Sequence, residues 1–159
     1  MLSRRLKHFI FILGLCGLSF SISCGDKIDI PNTPLAGKID GQDWEFKFGN
    51  AYIFSGGQIP EYTFRLLSTS ELGNDPCPIV STTKAHLKMV LPLGTGSYSI
   101  PFSDFNETVK FDYGNGTVLA ATSGFVEIFA IDQNQLVGYI QAVLDDDNIV
   151  EGRFVIEIC

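Results

Sequence analysis

Histidine is the usual general base at neutral pH, and this 159-residue chain has two, His8 and His86. His8 falls in a cationic and apolar N-terminal stretch that reads as an export signal and leaves with it. His86 is then alone. In AHLKMVL, strand alternation sets it beside Lys88 on the polar side, opposite Leu87, Met89 and Leu91. No serine or cysteine in a nucleophile turn accompanies it, so a triad has little support and His86 is expected at the surface. Three consecutive acids, Asp145, Asp146 and Asp147, precede Asn148. Their hard oxygens suit a calcium ion, but the spaced acidic loop with a distal glutamate is missing. The same residues also suit a solvated turn, because Asp and Asn bond their own backbone. A glycosidase needs only two acids at the correct separation, which keeps a carboxylate-based hydrolase open as the enzymatic alternative. The glycines of GTGS and GNGT lack the spacing and following helix of a phosphate cradle. Flat rings with polar tips suit sugar faces and protein partners. Tyr52, Tyr62 and Tyr98, in segments beside Gly- or Pro-containing turns, are the ligand-binding candidates, with core packing as the alternative. No cofactor site is expected.

These residues sit on strands. From Leu35 onward the dominant period is two: Trp44, Phe46 and Phe48 alternate with Glu45 and Lys47, and Val109, Phe111 and Tyr113 with Lys110 and Asp112. Phe154, Ile156 and Ile158 likewise alternate with Arg153 and Glu157. Between such runs lie hairpin signals at Asp40-Gly41, Gly114-Asn115-Gly116, Asp132-Gln133-Asn134 and residues 145–148. Strands are expected at 35–40, 43–55, 60–69, 84–92, 96–101, 107–113, 116–122, 124–132, 135–144 and 148–158. Turns at this frequency predict an all-β domain, an antiparallel sandwich or small barrel. The last three segments predict a meander central in a sheet. GFVEIFAID is apolar at both parities, which predicts cover on both faces.

The N-terminus supplies the most specific signal. Arg4, Arg5 and Lys7 precede an uncharged run over residues 9–23, and the first acid is Asp26. As a helix, that run would span about 22 Å, short of the ~30 Å of a bilayer core. Ser21 and Ser23 place small residues before Cys24, as a signal-cleaving protease requires. The stretch FSISCGDKID resembles the lipobox of bacterial lipoproteins, in which the cysteine thiol receives a diacylglyceryl group and becomes the first mature residue. Ser21 stands where leucine is usual, and an ordinary secretory signal is the alternative. The resemblance implies lipidation at Cys24, and Gly25, in place of aspartate, favours delivery to the outer membrane. Lipidation also settles the cysteine arithmetic. Cys16 leaves with the signal and Cys24 carries lipid, so Cys77 and Cys159 remain as one pair for a disulfide in an oxidising compartment; two free buried thiols are the alternative. The opening GKIDGQDWEF and closing EIC look like small Bacteroidota surface lipoproteins of unassigned role, which implies a β-sandwich and no particular activity.

Residues 1–23 therefore form the signal, 24–34 a lipidated tether with two prolines, and 35–159 one β domain. Residues 24–159 carry eight Lys and Arg against eighteen Asp and Glu, a net charge of −10. Such a surface repels phosphate backbones, which argues against nucleic-acid partners and against a polybasic grip on lipid heads. The expectation is a non-enzymatic, envelope-anchored binding or structural module for a glycan or a partner protein, held to the membrane by its lipid.

Overall fold

The computed structural model describes residues 31–54, 61–68, 77, 83–101 and 108–159. The expected signal, Cys24 and most of the expected tether lie outside the described residues. Among the described residues there are eleven strands and no helix. They are β1 (Ala36–Ile39), β2 (Gln42–Glu45), β3 (Phe48–Phe54), β4 (Glu61–Leu67), β5 (His86–Pro92) and β6 (Gly96–Ile100), followed by β7 (Lys110–Asp112), β8 (Val118–Ala120), β9 (Ser123–Ile131), β10 (Gln135–Asp145) and β11 (Asn148–Ile158). One curled sheet runs β6-β9-β10-β11-β3-β4-β5-β7-β8, with β1 on β11 and β2 on β1. Its strands pair antiparallel except where Glu157 and Ile158 of β11 run parallel to Asn50 and Ala51 of β3. The chain is all-β, and the final three strands form the expected meander.

Alternation delivers one apolar face to the interior. Phe64, Leu66, Leu87, Leu91, Phe111, Val126, Leu136, Ile140 and Val150 are all buried there. The β1–β2 hairpin adds Ile39 and Trp44, whose indole Nε1 donates to the Ala85 carbonyl at 3.0 Å. Asp40 and Gly41 both have positive φ, 54° and 70°, which is the two-residue hairpin geometry that an Asp-Gly pair favours. The Asp40 amide donates to Asn148 Oδ1 and the Gly41 amide to the Asp147 carbonyl, both at 3.0 Å. The first hairpin is thereby fixed to the turn between β10 and β11.

One sequence expectation fails for a local reason, and a second holds for a reason alternation did not show. The expected strand 43–55 is divided between β2 and β3, and Phe46 and Lys47 between them belong to neither. The break shifts the parity. Phe46 packs against the core with Trp44, whereas Phe48 shares the opposite face with Asn50 and Tyr52. GFVEIFAID is apolar at both parities because the register slips: Val137 pairs with Ala130 and Gly138 with Ile128, leaving Phe129 as the extra residue. A bulge of this kind lets Val126 and Ile128 point inward before it and Ile131 after it. The other face is lined too, by Phe125 stacked on Tyr139 with ring centroids 5.6 Å apart. The Cys77–Cys159 disulfide is present and bridges 82 positions of sequence. It fixes the last residue beside β3, where the Cys159 amide donates to the Ala51 carbonyl at 2.7 Å.

Candidate functional site: a row of cations across β4, β5 and β7

Register brings together what the linear sequence keeps apart. Asn50, Arg65, Lys88 and Lys110 are successive cross-strand partners on β3, β4, β5 and β7. Their inward neighbours Ala51, Phe64, Leu66, Leu87, Met89 and Phe111 are buried, so the row lies on the other face of the sheet, with Asn50 at its β3 end itself buried and the three cations half-buried. Strands lie about 4.8 Å apart, which spreads the three cations over about 10 Å. Thr63 and Val90 occupy the next row together with Tyr52. A groove of about 210 Å³ runs between Thr63, Arg65, Lys88, Val90 and Lys110.

In the adjoining row on the same face lies a buried polar pair. His86 and Asp112 are opposite partners on β5 and β7, with the ring Nε2 3.6 Å from Asp112 Oδ2. Lys88 Nζ donates to the same oxygen at 2.5 Å, and the Gly114 amide donates to Oδ1 at 2.8 Å. Burial pushes the Asp112 carboxyl upward. The Lys88 and Gly114 hydrogen bonds and the nearby His86 and Lys88 charges outweigh that and hold its pKa below the ordinary carboxylate value. His86 moves down: burial dominates, and the charges of Lys88 and Arg65 add to it against the upward pulls of the Lys84 carbonyl and Asp112. A carbonyl only accepts, so the Nδ1 contact of 3.0 Å with the Lys84 oxygen puts the ring hydrogen on Nδ1. His86 is thus no surface residue; only 3% of it is exposed. Alternation gave its face correctly. Beside it the β7–β8 turn packs on the segment before β5, where an added Cβ at Gly114 would lie 2.2 Å from the Thr83 carbonyl oxygen.

The tyrosine candidates are not brought together. Tyr62 is buried in the core, edge-on to Phe64, and Tyr98 packs half-buried against the same core with its hydroxyl 3.4 Å from the Gly94 carbonyl. Only Tyr52 lies on the outer face, beside the cation row. Its hydroxyl donates to the Cys77 carbonyl at 2.9 Å and accepts from Asn50 Nδ2 at 3.3 Å. Asp145 Oδ1 accepts from the Asp147 amide at 3.1 Å and from Asn148 Nδ2 at 2.8 Å, while Asp146 is exposed. This is turn construction, and among the described residues no group of three His, Cys, Asp or Glu side chains is placed to hold a metal.

A second groove, of about 390 Å³, lies by the tether among Pro34, Phe46, Val137, Arg153 and Val155. Its guanidinium is in use: Nη1 donates to Asn32 Oδ1 at 2.9 Å, and the group sits 4.9 Å above the Phe129 ring. The cation row is chemically the richer surface. Sequence reading missed it because Arg65, Lys88 and Lys110 are each only the polar member of an alternating strand, and their meeting depends on strand order. Comparisons with protein-family models, curated proteins and solved structures gave no match.

Proposed function

We propose that this chain is a lipid-anchored protein of a bacterial envelope, tethered at Cys24, whose β domain is a non-enzymatic binding module for a glycan or a partner protein. The observation that carries the binding role is the groove of about 210 Å³ bordered by Thr63, Arg65, Lys88, Val90 and Lys110, over an interior filled with side chains. Such a groove sets hydroxyl, cationic and apolar surfaces side by side. Three of the described acids have structural work that fits the same reading: Asp132 and Asp145 cap turns and Asp112 accepts from Lys88. The Cys77–Cys159 bond supports the anchor, because it uses both other cysteines of the mature chain and leaves Cys24 for lipid.

Intact mass of the membrane fraction tests the anchor. The wild type should carry a lipid-sized increment on a chain starting at residue 24, and Cys24→Ser should lose it and become soluble; a retained residue 1–23 segment would overturn the tether. A glycan array followed by recovery of the bound material tests the role. A bound glycan should be recovered at unchanged length, whereas shortened products would establish the hydrolase.

A further inference from the structure

Resting on the reading of the groove at Thr63, Arg65, Lys88, Val90 and Lys110 as the binding surface, we infer that acidity resets it: when His86 takes a proton, Asp112 changes partner from Lys88 to His86, and the Lys88 ammonium moves out into the groove.

The exchange turns on one shared oxygen. Asp112 Oδ2 accepts from Lys88 Nζ at 2.5 Å and lies 3.6 Å from His86 Nε2, while Oδ1 is occupied by the Gly114 amide. The hydrogen of the neutral ring is on Nδ1, at the Lys84 carbonyl, so Nε2 turns a lone pair toward the carboxylate. Two acceptors do not bond, and 3.6 Å is too long for a hydrogen bond. A proton taken from solvent has only Nε2 to occupy. It puts a charged donor opposite Oδ2, and charge-assisted bonds of this type close to about 2.7–2.9 Å.

Burial decides which cation keeps the oxygen. The side chain of His86 is 4% exposed and that of Lys88 is 40% exposed. A buried imidazolium without a counter-ion bears the full cost of desolvation, whereas an ammonium on a long stem regains water by swinging outward. Like charges on one oxygen repel, so the exposed one yields. The surrounding groups set the window. Burial opposes charging of the ring most strongly, Lys88 on β5 and Arg65 on β4 oppose it too, and the Lys84 carbonyl and Asp112 on β7 favour it. Lys110, the cross-strand partner of Lys88, stands one row further along β7. His86 therefore charges below about 6.5, where Asp112, whose own value is held below about 3.8, is still ionised. Two cations then share one carboxylate in place of one, and the added charge emerges at Lys88 on the groove.

The test is an NMR titration of the intact, detergent-purified protein from pH 8 to 4 with no ligand, following the His86 ring, Lys88 Nζ and Asp112 Cγ. Lys88 and Asp112 should shift with the same midpoint as His86, and Lys88 Nζ should reach the position of a hydrated lysine. In His86→Gln both signals should hold through that range. Lys88→Gln removes the competitor and should raise the His86 midpoint. A Lys88 signal that stays constant while His86 titrates would overturn the exchange, as would a ring that remains neutral down to pH 4. Either result leaves the binding module standing, because no ligand is present. An empty glycan array beside a moving Lys88 would remove the module and support the exchange.

Discussion

His86 and Asp112 make the stability of this domain depend on pH in two separate windows. Both groups have folded-state pKa values below their ordinary ones. For such a group the unfolded chain takes up its proton first, so stability is complete above the ordinary value and is lost as pH falls through the folded value. For His86 the loss begins below about 6.5 and for Asp112 below about 3.8. Urea midpoints measured from pH 8 to 3 should therefore decline in two stages. In His86→Gln the first stage should vanish while the acid stage stays; an undiminished decline from pH 6.5 in that variant would contradict the assignment. Burial is what makes the imidazole titrate this way, and burial was the property that alternation alone could not supply. Its face was legible in AHLKMVL, but its cross-strand partner Asp112 lies 26 positions further on.

At the scale of the elements, turns carry a large share of the specification. Asn148 links two of them, accepting from the Asp40 amide and donating to Asp145 Oδ1. Asn148→Ala removes the acceptor of the Asp40 amide and should cost about 0.5–1.5 kcal/mol, read as a shift in denaturation midpoint with an unchanged slope. Gly114 has a φ of +78°, and a methyl there would collide with the Thr83 carbonyl. Gly114→Ala should cost at least the ~1–2 kcal/mol of a left-handed alanine, and it should let the His86 pKa rise toward its ordinary value as 83–85 lifts away. A His86 titration unchanged by NMR would show that the turn does not bury the ring. The hairpin signals were legible because a turn is a local choice of two to four residues. The bulge at Phe129 and the parity break at Phe46 were not, since one extra residue reverses a face without altering composition.

At the scale of the whole molecule, the eleven described strands form one curled sheet to which the Cys77–Cys159 bond adds a covalent tie. The Cys77–Cys159 bond spans 82 positions, and loop entropy assigns it about 4–5 kcal/mol. Cys77→Ser/Cys159→Ser should lower unfolding free energy by an amount of that order, and a loss below about 1 kcal/mol would show that the bond adds little. All-β character, the final meander and the cysteine pairing could be read from alternation, turn residues and cysteine number. Strand order could not, and the candidate site is a product of strand order. Arg65, Lys88 and Lys110 are scattered over 46 positions of sequence, and only the order β4-β5-β7 puts them side by side. The most direct test of the binding role is amide chemical-shift mapping of the protein titrated with the glycan recovered from the array. Shifts should cluster around the groove at Thr63, Arg65, Lys88, Val90 and Lys110; shifts confined to the Phe125–Tyr139 face of β9 and β10 would contradict the proposed site.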